Sequence, residues 1–255
     1  AAGVPALRFD YDGTGDSAGD VNDPGRVDAW VGSVEAAAAL LRSTGASRLC
    51  AVGMRLGANL AAAAAARVPL QAAVLWDPCA SGASFLREQR SLSAHIGGES
   101  SGGAIDAPDL RYEPATADDI RTNLPPLHAL PGGPRTLVLV RPDRPCPRPL
   151  RAAFTAACAE WGEAVGQDRL IGVPVEQGVV PHAAVAEVVD WLSRVAPAGV
   201  VEAPLDLARV TGDADRSGPS ERPVALGPNR LFGVATEPRQ LASDGVEHQI
   251  RPLLH

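Results

Sequence analysis

Arg48-Leu49-Cys50-Ala51-Val52-Gly53-Met54-Arg55-Leu56-Gly57-Ala58-Asn59-Leu60, running on into the alanines Ala61 to Ala66, is the most informative stretch of this chain. The apolar run 48–52 reads as a buried strand. Gly53 and Gly57 bracket a tight turn over 53–57. Residues 58–66 are small helix formers able to lie close against a sheet. A strand that passes through so short a turn directly into a helix is one half of a parallel β-α unit.

Working outward, residues 6–9 form a short apolar strand. They lead into Asp10-Tyr11-Asp12-Gly13-Thr14-Gly15-Asp16, a loop dense in turn residues. Between 27 and 41 the apolar residues Trp30, Val31, Val34, Ala38 and Leu41 recur at three- and four-residue steps, which predicts an amphipathic helix closed by Gly45. Downstream, strands are expected at 72–76, 136–140 and 170–175, and helices at 150–161 and 181–195, the last with Pro181 in its first turn. This alternation predicts an α/β fold with a mainly parallel sheet and helices on both faces. The polar, glycine-rich stretch 91–133 reads as an insertion or lid. Residues 196–220 read as a linker, and a short hairpin is expected within 224–236.

Composition narrows the function classes. The chain has 255 residues, 45% hydrophobic, and a net charge of −7 without a basic stripe, which argues against nucleic acid and for a small-molecule or protein partner. No apolar run reaches the length of a membrane span. Cys50, Cys79, Cys146 and Cys158 show neither a close Cys-x-x-Cys pair nor zinc spacing with histidine, so reduced thiols, no metal and no cofactor are expected, with Cys50 a core residue. The cytoplasm is the expected compartment. The chain opens on Ala1 and its single methionine is Met54, so a processed chain or fragment is expected, and a removed leader would escape this reading.

The segment Arg8-Phe9-Asp10-Tyr11-Asp12-Gly13-Thr14-Gly15-Asp16-Ser17, then a helix, then a strand entering Gly53-Met54-Arg55-Leu56-Gly57, resembles the α/β-hydrolase superfamily, closest to serine-aminopeptidase-like and exosortase-associated hydrolases. That family carries its nucleophilic serine on a Gly-x-Ser-x-Gly elbow. Here both glycines match and Arg55 occupies the middle. The resemblance covers residues 6–195 and implies that fold with its first strands missing. Residues 221–255 open like the first hairpin of such a domain at the wrong end. They are read as the start of a truncated second copy, or as permuted first strands. The permuted form would have to build a central strand containing Pro252. If the first strands are absent, strand 6–9 is an exposed sheet edge through which copies could pair.

The resemblance implies ester or amide hydrolysis, lost or altered here, because a guanidinium has no free lone pair for attack. Asp143, after strand 136–140, and Asp77, after strand 72–76, occupy the two positions from which the family draws its acid. His182 is the histidine in reach after the last strand. His95 and His128 fall in or beside the insertion. Arg55 also projects from a helix N-terminus, where positive potential gathers, so an anion is expected beside it. That anion is either an internal carboxylate filling a dead site or the carboxylate or phosphate of a ligand on a non-catalytic binding protein. A third reading puts a nucleophile at Cys79 or Ser81. Gly13-Thr14-Gly15-Asp16-Ser17-Ala18 also fits a dinucleotide-binding pattern. Asp12 and Asp16 would repel a pyrophosphate, however, and Asn22-Asp23-Pro24-Gly25 interrupts the helix that should follow.

Overall fold

The computed structural model describes residues 6–95, 102–107, 110–125, 127, 134–171, 173, 177–196, 220–226 and 231–237. Its centre is a four-stranded parallel sheet of β2 (Cys50–Met54), β3 (Ala72–Trp76), β6 (Arg135–Val140) and β7 (Glu160–Glu163), in the order β2-β3-β6-β7. Every connection within this sheet passes through a helix, as parallel pairing requires. α2 (Leu56–Ala64) joins β2 to β3, and α5 (Arg148–Ala156) joins β6 to β7. Between β3 and β6 the chain makes α3 (Gly82–His95), the two-residue strands β4 (Ile105–Asp106) and β5 (Arg111–Tyr112), and α4 (Pro114–Asn123).

The period-2 alternation of the strands decides what each face packs against. Ala72, Val74 and Trp76 of β3, with Leu137 and Leu139 of β6, meet Ala184, Val188, Trp191 and Val195 of α7 (His182–Val195). Leu75 and Val138 point the other way, onto Ala58 and Ala62 of α2 and Leu150 and Phe154 of α5. The sheet is therefore covered by helices on both faces. The alanines of α2 permit close approach, and Gly53 is where it is tightest, since a Cβ there would run into the Gly57 carbonyl.

A second sheet is antiparallel, β1 (Ala6–Phe9), β9 (Leu231–Glu237) and β8 (Ser220–Leu226), in the order β1-β9-β8. β9 lies against β1 in a register running from Ala6 opposite Thr236 to Phe9 opposite Gly233. The hairpin expected near the end of the chain thus pairs with its beginning, and one side of β1 is covered by β9. Residues 197–219 of the expected linker and 238–255 lie outside the described residues. α1 (Arg26–Ser43) touches β1 and β8 of this sheet, and α2.

The described residues between 82 and 124, most of them within the expected insertion, form a third part of the core. Phe85, Leu86, Ile105, Tyr112, Ala117, Ile120 and Leu124 pack with Val27, Trp30 and Val31 of α1 and Leu60 of α2. Two polar contacts tie α4 to the start of α1: Asp119 Oδ2 accepts from the Val27 N–H at 2.8 Å, and Thr116 Oγ1 donates to the Val21 carbonyl at 2.7 Å.

Three expectations need correction. Residues 168–171 are a helical turn, α6 (Asp168–Ile171), not the start of a strand. The last parallel strand among the described residues is instead Glu160–Glu163, which has the polar sequence Glu-Trp-Gly-Glu and no apolar alternation. Residues 174–176 of the expected strand lie outside the described residues. The helix expected to reach Trp161 ends at Ala156, and Cys158 turns the chain in a left-handed conformation with φ 56°. Finally, β2 is an edge strand of its sheet rather than a buried one, so Val52 is 53% exposed and Cys50 lies at the surface instead of in the core. No helix among the described residues is long and apolar enough to cross a membrane.

Candidate functional site

At the carboxyl end of β2 the backbone turns at Arg55 with φ 54° and ψ −120°, and α2 begins at Leu56. A β-carbon is disfavoured in that region, so the residue is held there by its surroundings. The Arg55 N–H donates to the Trp76 carbonyl at 2.9 Å, continuing the β2–β3 ladder one step, and Ala58 N–H returns to the Arg55 carbonyl at 3.1 Å. The turn is thus fastened on both sides, and its side chain stands above the carboxyl edge of the sheet.

The neighbouring strand ends in the same way. Asp77 follows β3 with φ 44°, its N–H donating to the Leu139 carbonyl at 2.8 Å. Arg55 Nη1 meets Asp77 Oδ2 at 2.9 Å, and Arg55 Nη2 pairs with Glu88 Oε2 from α3. Arg144, from the loop after β6, closes the ring with Nη1 at 3.1 Å from Glu88 Oε1 and Nη2 at 3.2 Å from Asp77 Oδ2. Gln167, fully buried, donates from Nε2 to Asp77 Oδ2 at 2.6 Å, while its Oε1 accepts from Trp76 Nε1 at 2.7 Å. Two guanidiniums and two carboxylates therefore balance, with an amide fixing the deeper acid.

Of the residues singled out in the sequence, the structure brings Arg55 and Asp77 together. Asp143 points elsewhere, with Oδ1 accepting from Arg141 Nε at 2.8 Å, and that hydrogen bond holds its carboxyl below the usual range. His182 is exposed in the first turn of α7, and its ring makes no hydrogen bond to Arg55, Asp77 or Asp143. His95 is exposed at the end of α3, and His128 lies outside the described residues. Sequence reasoning missed Glu88, Arg144 and Gln167. Arg144 was adjacent to a residue already chosen, but the other two carry no local signal.

Cys79 and Ser81 are occupied structurally. Asn59 of α2 brackets the Cys79 backbone, its Nδ2 donating to the carbonyl at 2.8 Å and its Oδ1 accepting from the N–H at 2.9 Å. Burial pushes the Cys79 thiol up to about 11, away from the thiolate that nucleophilic attack needs. Ser81 Oγ accepts from the Ser84 N–H at 3.1 Å and the Ser84 hydroxyl oxygen accepts from the Ser81 N–H at 2.9 Å, a reciprocal cap on α3.

The loop that fits a dinucleotide pattern is likewise satisfied from within. The Asp16 N–H is taken by Asp10 Oδ2 at 3.0 Å, and those of Gly13, Thr14 and Ser17 by backbone carbonyls. Asp12 is spent on Arg26, 2.7 Å away in a buried pair. The helix that follows starts only at Arg26, so no helix N-terminus opens onto the glycines. Among the described residues, no group of three histidine, cysteine or acidic side chains is placed to hold a metal ion.

Architecture and site together define a mixed α/β protein with a salt-bridge cluster at the carboxyl edge of its parallel sheet. Compared with family models, curated proteins and solved structures, the chain matches none of them.

Proposed function

We propose that this chain is an α/β-hydrolase-like protein that performs no covalent hydrolysis, its elbow having become the centre of an ion-pair cluster. The observation that carries the reading is Arg55. It sits in a strained strand-to-helix turn, the backbone setting in which hydrolases expose a nucleophile, yet its guanidinium is engaged by Asp77 and Glu88. Among the described residues, no hydroxyl, thiolate or imidazole takes part in the cluster. The residue that the loop after the last parallel strand lays into it is Gln167, an amide that cannot serve as a general base.

An assay of short-chain aryl-ester hydrolysis on the wild type, Arg55→Ala and Arg55→Ser tests this. Neither wild type nor Arg55→Ala turns over above buffer background. Arg55→Ser stays inactive as well, because no histidine among the described residues joins the cluster to take the new hydroxyl's proton, and Asp77 and Glu88 remain paired with Arg144. Wild-type turnover that disappears in Arg55→Ala would overturn the reading.

A further inference from the structure

We propose that Arg55 and Arg144 form a binding site for a monoanionic carboxylate, and that Glu88 is its built-in occupant, displaceable by a free carboxylate of the same shape. The proposal rests on the reading that Arg55 does no covalent chemistry. It goes further in naming what the two guanidiniums recognise.

The two acids of the cluster are not equivalent. Asp77 has an 11% exposed side chain and is held by both arginines and by Gln167, so it belongs to the permanent frame. The Glu88 side chain is 35% exposed and, among the described residues, is held by the two arginines, Oε2 on Arg55 and Oε1 on Arg144. Each oxygen of the Glu88 carboxylate thus takes a charge-assisted hydrogen bond from a different guanidinium, so both of its acceptors are engaged by cations. It enters on the end of a flexible side chain from α3, while Arg55 and Asp77 are fixed by the backbone at the ends of β2 and β3.

Charge then selects the ligand. With Glu88 withdrawn, two cations face one anion, and a single negative charge restores neutrality. A phosphate dianion would overshoot it beside Asp77. Because Glu88 is tethered, its effective concentration is in the millimolar range or above, so a free carboxylate competes poorly with it in the wild type and well in its absence.

Glu88→Ala deletes the equivalent of one acetate, which makes acetate the probe. Melting and calorimetric titration of wild type and Glu88→Ala are run in sodium acetate, sodium chloride and sodium phosphate at equal ionic strength. In chloride, Glu88→Ala melts about 4 °C below wild type. Acetate at tens of millimolar restores at least half of the loss and binds the variant at least ten-fold more tightly than wild type, while phosphate restores less. Adding Arg144→Met removes the acetate effect. Should Glu88→Ala lose its cooperative transition in chloride, its return in acetate is the same readout. An acetate effect that is absent, is matched by phosphate, or survives Arg144→Met overturns the proposal. Esterase turnover in the wild type would instead overturn the reading on which it rests, without touching the rescue.

Discussion

Arg55→Ala removes the one residue that contacts both acids of the cluster from a fixed backbone position. The Arg55 side chain is 14% exposed and that of Asp77 11%, so their 2.9 Å contact is poorly screened. Removing one partner of a buried pair costs about 3–5 kcal/mol. Arg144 and Gln167 remain on Asp77, and Glu88 can turn to solvent, which brings the expected loss to about 2–3 kcal/mol, or a Tm lowered by about 4–12 °C for a chain of this size. The backbone supplies an internal control. Alanine keeps the strain of φ 54° and ψ −120°, whereas glycine relieves it, so Arg55→Gly is less destabilised than Arg55→Ala by about 1 kcal/mol despite its freer unfolded chain. Urea unfolding at neutral pH measures all three proteins. An Arg55→Ala loss below about 0.5 kcal/mol, within the range of an ordinary surface substitution, would refute the buried-pair argument. Arg55→Gly no better than alanine would refute the strain argument.

Four further outcomes follow from other parts of the molecule. Gly53→Ala places a methyl against the Gly57 carbonyl and drives β2 from α2, lowering stability by about 2–3 kcal/mol in the same urea experiment. Burial raises the Cys79 thiol to about 11 and the Tyr11 hydroxyl to about 12 from ordinary values of 9 and 10. The folded state therefore holds these protons more tightly; stability is complete below pH 9 and declines through pH 11 and 12, a decline that Tyr11→Phe makes shallower in melts recorded against pH. Iodoacetamide at pH 8 correspondingly labels exposed Cys50 and Cys158 well before Cys79, as peptide mapping would show. Val52→Thr, at the open edge, changes stability by less than about 0.5 kcal/mol, whereas fully buried Val74→Ala costs about 2 kcal/mol.

The parts of the fold that were legible in the sequence are those where local preference and tertiary packing agree. Strands Ala6–Phe9 and Ala72–Trp76 appear where the apolar runs put them, and α1 and α7 follow their three- and four-residue apolar steps. β7 was hidden because Glu160 and Glu163 give it a polar pattern, and its ladder to β6 supplies what propensity does not. α3 and α4 were obscured by polar surfaces, their apolar residues being few and buried against α1 and α2. The edge position of β2 could not be read at all: whether a strand such as Cys-Ala-Val-Gly-Met is central or peripheral depends on which other strands the sheet contains. At the site, Arg55 was conspicuous for standing between two glycines. Glu88 and Gln167 reach it from a helix and a loop far along the chain, and nothing in their own neighbourhoods marks them.

The pairing of Phe9 with Gly233 has a consequence for the order of events during folding. The chain segment it closes is roughly ten times longer than the one between β2 and β3, which adds about 2 kcal/mol of closure entropy before any contact is gained. During synthesis the parallel strands can assemble as they emerge, but β1 must wait until residues 231–237 have been made before β9 is available. Until then β1 presents both of its edges. A chaperone or a neighbouring nascent chain would meet it there, so the long-range closure that completes the antiparallel sheet also sets the period during which the protein is most open to mispairing.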